Sequence, residues 1–155
     1  MFNLKRRKFD LLLLLIIIAV LAAGAIMYVY IGNHNANTVI FTTPSGNNTI
    51  YVQVATNEQE WAHGLMNVSY LAPDAGMVFV FPQEYNYSFW MHDTMIPLDQ
   101  VFIDRNLTIT AINANALPEN DSVYTAYGQY IVEVNGNYCK EHNIVAGDKV
   151  FLNLQ

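Results

Sequence analysis

Met77-Val78-Phe79-Val80-Phe81 (MVFVF), followed by Tyr87-Ser88-Phe89-Trp90-Met91 (YSFWM), is the stretch whose reading decides the fold. Short apolar, aromatic and β-branched runs bounded by turn residues read as buried strands; Pro82 and a polar turn separate these two. On the N-terminal side, Thr38–Thr43 and Thr49–Thr56 flank the turn chemistry of Pro44-Ser45-Gly46-Asn47-Asn48. Ile50, Val52 and Val54 share one face there, which predicts a hairpin. Thr56, with Gln59 three residues on, resembles a capping box and predicts a short helix from about Asn57 to Met66, broken near Gly64. On the C-terminal side, Val101–Asp104 and Leu107–Ile112 predict a second hairpin across Asp104-Arg105-Asn106. Residues 113–128 read as an irregular loop. Tyr130–Val134 and Lys149–Leu154 read as closing strands, with a turn or short helix about Lys140–Asn143. Strands outnumber helices and the connections are short, so the expected class is α+β, mainly antiparallel β: a compact barrel-like or sandwich-like domain with one or two short helices.

Ahead of that domain lies a charge-free run, Leu11 to Ile31 (LLLLLIIIAVLAAGAIMYVYI), directly after Lys5-Arg6-Arg7-Lys8. At about 1.5 Å per residue a helix of this length matches the roughly 30 Å hydrocarbon core of a bilayer. Basic residues stay on the cytoplasmic side, and none follows the run before Arg105. Tyr28 and Tyr30 sit where an interfacial aromatic belt belongs. Ala23-Gly24-Ala25 resembles a signal-peptidase site, but the apolar run continues well past it. The expected organisation is a cytoplasmic basic tail over residues 1–10, an uncleaved transmembrane signal anchor over 11–31, a spacer over 32–37 and an extracytoplasmic domain over 38–155. That is a single-pass cell-membrane protein, with lipid as a partner through residues 11–31.

Beyond residue 31 there are twelve acids (all but Asp10) against Arg105, Lys140 and Lys149, a net charge of −9. Such a surface repels phosphate backbones, so nucleic acid is not an expected partner. The single cysteine, Cys139, excludes an intrachain disulfide and is expected to be a buried apolar side chain. Five Asn-x-Ser/Thr sequons, at Asn47, Asn67, Asn86, Asn106 and Asn120, are glycosylation candidates in an exported domain.

Chemistry-bearing residues are densest over Phe89-Trp90-Met91-His92-Asp93-Thr94-Met95-Ile96-Pro97-Leu98-Asp99. Here the sequence resembles the DUF192 (UPF0127) family. The resemblance is carried by Gly64-Leu65-Met66, by Gly76-Met77 with Phe79 and Phe81, and by Trp90-Met91, Thr94, Pro97-Leu98-Asp99 and Phe102-Ile103-Asp104. It continues through Tyr130, Glu133-Val134, Gly136 and Gly147-Asp148 with Val150, covering about Tyr51 to Leu154. The resemblance implies a compact, mainly β domain, often exported or membrane-anchored, without an established activity. The pair after Trp-Met is typically Lys-Asn in that family and is His92-Asp93 here, which puts any role of the usual pair in doubt.

Met66, Met77, Met91 and Met95 with Trp90, Phe79 and Phe81 could line one apolar cavity, or simply form the core. The ligand-binding candidates are Met66, Met77, Trp90, Met91, His92, Asp93 and Asp99. His63, Met66, His92 and Asp93 are candidate metal ligands; thioether and imidazole suit copper, although no four-ligand zinc spacing is present. Cys139 and His142 form a separate Cys-x-x-His pair. Asp93, Asp99 and Glu133 could act as carboxylates in hydrolysis of surface glycans, but no nucleophile elbow or phosphate loop accompanies them. Lys149 is one expected partner for Glu133. Trp61, His63, Glu58 and Glu60 read as helix surface and edge. No cofactor is required by these residues. The expected function is a binding or assembly module at the outer membrane surface, with an envelope protein as partner; a copper carrier and a hydrolase are the alternatives.

Overall fold

The computed structural model describes residues 15–22 and 36–155, in two compact units, Met1–Ala36 and Asn37–Gln155. In the first unit, residues 15–22 form an exposed helix, α1. The expected basic tail over 1–10, the rest of the expected anchor over 11–31 and the spacer as far as residue 35 lie outside the described residues. Among the described residues no helix is long and apolar enough to cross a membrane.

The second unit contains strands β1 (Thr38–Thr43), β2 (Gly46–Ala55), β3 (Ala75–Phe89), β4 (Leu98–Ile103), β5 (Ile109–Ala116), β6 (Tyr124–Asn135) and β7 (Lys149–Asn153). Helix α2 (Glu58–His63) joins β2 to β3, and α3 (Tyr138–Glu141) joins β6 to β7. The strands form one sheet in the order β5-β4-β6-β3-β2-β1-β7. β2 and β3 run parallel, and the other pairings between these strands are antiparallel, as expected for a mainly antiparallel α+β domain. The sheet curls until its two edges meet at one end. Thr108 bridges Lys149, Ile109 N–H donates to Asp148 O at 3.0 Å and Val150 N–H donates to Leu107 O at 2.9 Å. Closure at that end satisfies backbone groups that an edge strand would leave open.

Local chemistry accounts for the departures from the sequence-based reading. The β1–β2 turn is only Pro44-Ser45, because Thr43 pairs with Gly46, whose φ of 131° few other residues adopt. Asn57, not Thr56, caps α2: its Oδ1 accepts from Glu60 N–H at 3.1 Å, while the Glu60 carboxylate accepts from Thr56 N–H at 2.6 Å. The helix stops at His63 because Gly64 turns with φ 50°. The two expected strands around Pro82 are one strand, β3, with a bulge. Val80 pairs with Tyr130 and Tyr85 with Gly128, so Phe81 to Glu84 bow out opposite Gln129, whose side chain donates to Phe81 O. Pro82 needs no ladder partner in that bulge. Of residues 113–128, only 117–123 form the expected loop. β5 continues to Ala116 and β6 begins at Tyr124, because Asn113 and Asn115 find partners on β4 that outweigh their poor strand propensity.

The three central strands β3, β6 and β4 bury both faces. One face carries Val78, Val101, Ile103, Val132 and Val134 into the curled interior against Val39, Phe41, Ile50, Tyr138 and Val150. The other carries Phe79, Phe81, Leu98, Phe102 and Ile131, covered by Ala55, Leu65 and Met91 with Trp61 at the margin. At Gly76 a Cβ would stand 2.5 Å from Glu133 O, so β3 and β6 pack there only without a side chain. Gly76→Ala is expected to cost about 1–3 kcal/mol, the usual range for overpacking, read as a lower denaturant midpoint for the full chain; an unchanged midpoint would contradict this packing.

Candidate ligand-binding cleft

Strand register places a row of polar side chains across the second face. Asn113 of β5 lies opposite Gln100 of β4, Gln100 lies opposite Glu133 of β6, and Glu133 lies opposite Met77 of β3. Asn113 Nδ2 donates to Gln100 Oε1 at 2.8 Å, and Gln100 Nε2 donates to Glu133 Oε1 at 3.1 Å. Glu133 is 4% exposed, and burial raises its carboxyl to about 7, opposed only by the hydrogen bond from Gln100. Among the described residues nothing donates to the second oxygen, Oε2, which is not sealed in the core but opens onto a cleft.

Two segments wall that cleft. The first runs from Trp61 through Met66, where α2 ends. Trp61 is pinned by donation from its Nε1 to Ala55 O at 3.1 Å and packs on Phe81 at 4.8 Å between ring centroids. Gly64 is required for space as well as for its φ: a Cβ there would meet Phe79 Cζ at 3.2 Å and Glu133 Oε2 at 3.9 Å. The second segment supplies Phe89, Trp90, His92 and Thr94. Asn67 (φ 62°) donates its N–H to Asp93 O (φ 51°) at 2.8 Å, latching the two segments together. Asp and Asn are among the residues that tolerate this left-handed conformation, so Asn67 and Asp93 both meet the backbone demand of this latch. His92 lies between carboxylates: Nδ1 is 3.0 Å from Asp121 and Nε2 3.5 Å from Asp93. The hydrogen bond to Asp121, then the charge of Asp93, raises its pKa.

The chamber over Glu133 is small, about 30 Å³, with Trp61, His63, Met66, Phe89, Trp90 and His92 among its lining residues. Outside it lies an aromatic groove of about 350 Å³ walled by Trp61, Phe81, Tyr87, Phe89 and Trp90. The two cavities share Trp61, Ala62, Phe89 and Trp90.

Of the residues singled out in the sequence, Met66, Trp90, His92 and His63 line the chamber. Asp93 is exposed beside His92. Met91 is buried with Sδ 3.7 Å from Gln100 Nε2, and Met77 is buried beside Glu133 in the register. Asp99 is elsewhere. It is fully buried and points to the curled interior, where it accepts from Asn115 N–H (2.7 Å), Asn137 N–H (2.9 Å) and Cys139 N–H (2.8 Å). Asp99 and Glu133 therefore sit on opposite faces of the sheet and do not form a carboxylate pair. Lys149 does not reach Glu133; its Nζ bonds Thr108 Oγ1 at 2.6 Å. Cys139 is buried, its thiol pushed up by desolvation and then by Asp99, while the His142 ring stacks on Tyr138 at 4.0 Å. Among the described residues no three His, Cys, Asp or Glu side chains are grouped to hold a metal. Asn47, Asn67, Asn86, Asn106 and Asn120 are all exposed. Trp61, read as helix surface, and Gln100, not singled out at all, belong to the site. The one available signal was a glutamine beside Asp99 in the run Leu98–Ile103, whose other four residues are apolar.

The chain belongs to the DUF192 family, described as uncharacterised ACR, whose model matches residues 40–152. Two solved structures are similar. A candidate transcription regulator from Sinorhizobium meliloti 1021 is 30% identical with a TM-score of 0.73, over 75% of this chain and 92% of its own. A protein of unknown function from Novosphingobium aromaticivorans DSM 12444 is 32% identical with a TM-score of 0.72, over 74% of this chain and 83% of its own. No curated protein matches the chain.

Two variants separate the carboxylates. Asp99→Asn offers N–H groups where three donors converge, and is expected to destabilise the chain by about 2–3 kcal/mol in urea unfolding. Glu133 titrates at about 7 when folded, against an ordinary 4.5, so between those values the native state holds the extra proton. Its contribution to stability is present below pH 4.5 and lost as pH rises through 7. Glu133→Gln keeps the acceptor for Gln100 and removes the buried charge. It is expected to gain about 1–3 kcal/mol at pH 8 and almost nothing at pH 4; equal effects at both pH values would contradict the assignment.

Proposed function

We propose that this chain is a membrane-anchored, extracytoplasmic binding module whose ligand enters the cleft above Glu133. One observation carries the reading: a buried carboxylate keeps an oxygen without a protein donor at the floor of a cleft walled by both tryptophans of the chain. An acceptor that opens onto the cleft without a protein donor is free to take one from a ligand. The apolar run 11–31 behind a basic cluster supports anchoring, and five exposed sequons are consistent with an exported domain. A role in transcription, the description attached to the Sinorhizobium protein, is disfavoured here by the net charge of −9 beyond residue 31.

A copper carrier is the second reading, favoured by His63, Met66 and His92 lining one chamber. Glycan hydrolysis by an Asp99–Glu133 pair loses its support because those two side chains face apart. Protease added to intact cells is expected to degrade the domain while cytosolic proteins survive. Native mass spectrometry of the full chain, extracted from its own membranes in a non-ionic detergent, is expected to show an adduct that Trp90→Ala loses. A bare protein mass together with protection in intact cells would overturn the proposal; stoichiometric copper would select the second reading.

A further inference from the structure

We propose that the cleft is a site for a primary ammonium group on an unbranched apolar stem, the stem lying in the aromatic groove and the ammonium donating to Glu133 Oε2. The inference rests on the reading of the cleft as a ligand site and names the class of ligand.

Charge sets the sign. Among the described residues Arg105, Lys140 and Lys149 are the only lysines and arginines, and none lines the chamber. Arg105 pairs with Glu84 at 3.3 Å and Lys149 is engaged by Thr108. The imidazoles that line the chamber, His63 and His92, do not bond Glu133, and His92 is held by Asp121 and Asp93 instead, so the cation that matches an ionised Glu133 is the ligand's. The entrance favours its arrival, since Asp93 and Asp121 flank His92 and the chain beyond residue 31 carries a net charge of −9. An anion would meet the opposite field.

Size and shape narrow the choice. A chamber of about 30 Å³ holds a head of one or two heavy atoms. It suits a compact ammonium better than a planar guanidinium fork, which needs two acceptors side by side. Oε1 is already committed to Gln100, leaving one oxygen. A hard divalent ion would want several oxygens, and the chamber supplies a single carboxylate. The groove outside provides the complement for a stem. Phe81 stacks on Tyr87 at 3.7 Å, Trp61 leans on Phe81 at 4.8 Å and Trp90 is 52% exposed across from them. Aromatic faces attract a cation passing over them and bury its methylenes.

The chain's two tryptophans, Trp61 and Trp90, both line the site, so intrinsic fluorescence reports on the cleft. The experiment titrates the full chain in a non-ionic detergent at pH 8 with n-pentylamine, with Nα-acetyl-lysine amide and with n-pentanol. Saturable fluorescence changes are expected with at least one amine, and at least tenfold weaker binding of n-pentanol. Glu133→Gln, which the preceding stability argument expects to fold well, should weaken the amines at least tenfold. Trp90→Ala should weaken all probes that bind. Tighter binding of the blocked lysine would identify a protein side chain as the source, and tighter binding of n-pentylamine a free amine; either supports the site. Equal binding of n-pentanol and n-pentylamine, undiminished amine binding by Glu133→Gln, or no response to either amine would overturn the ammonium assignment. If an adduct lost in Trp90→Ala were still recovered from native membranes, only the ligand class would fall and the cleft would stand.

Discussion

The Asp99 carboxylate accepts from the backbone N–H groups of Asn115, Asn137 and Cys139, and through them β4 fixes the end of β5, the exit from β6 and the first turn of α3. Burying a charge without water is expensive unless its lone pairs are filled, and here three donors converge on it. Its neighbours tighten the same joint. Gly136 N–H donates to Pro97 O at 2.8 Å, and a Cβ on Gly136 would lie 2.9 Å from Pro97 Cβ. Asn137 takes a left-handed φ of 70° to bring its N–H round to Asp99. The Pro97-Leu98-Asp99 motif is thus a structural clamp, and its effect reaches the other face of the sheet. Residues alternate along a strand, so holding Asp99 inward presents Gln100 outward, against Glu133.

That alternation makes the cleft a product of register rather than of loops alone. Asn113, Gln100 and Glu133 come from three strands and meet because their pairings align. Each side chain in the row orients the next, and the last is left with one acceptor facing outward. The low-dielectric surroundings strengthen these bonds and also raise the cost of ionising Glu133. Rigid strands supply the floor. The α2 terminus and the Trp90–Thr94 segment supply the walls, joined by the Asn67–Asp93 hydrogen bond.

Much of the architecture was legible in the sequence because its signals are local. Pro44-Ser45-Gly46 marked a tight hairpin, the Lys149–Leu154 run marked the last strand, and motif spacing identified the family. What escaped depended on distant partners. Asn113 and Asn115 look like loop residues until Gln100 and Asp99 are placed opposite them. Pro82 looks like a strand terminator until β6 is seen to continue past the bulge. The site was half legible: Trp90, His92 and Met66 stood out by type, and they line the chamber. Trp61 seemed peripheral because helical periodicity says nothing about what approaches a helix from elsewhere. Glu133 and Asp99 looked alike as acids on strands, and only the pleat separates a carboxylate filled by backbone from one facing a cavity.

The seam between the sheet edges has a consequence for assembly in time. β1 is flanked by β2 and by β7, so the earliest strand of the domain waits for the latest to complete its ladder. Gln155 N–H also donates to Asn37 Oδ1 at 2.7 Å, bringing the two ends of the domain together. Until β7 is in place, Ile40 and Phe41 pair on one side only and the interior remains open. The seam therefore shuts late, a long-range closure of the kind that slows folding.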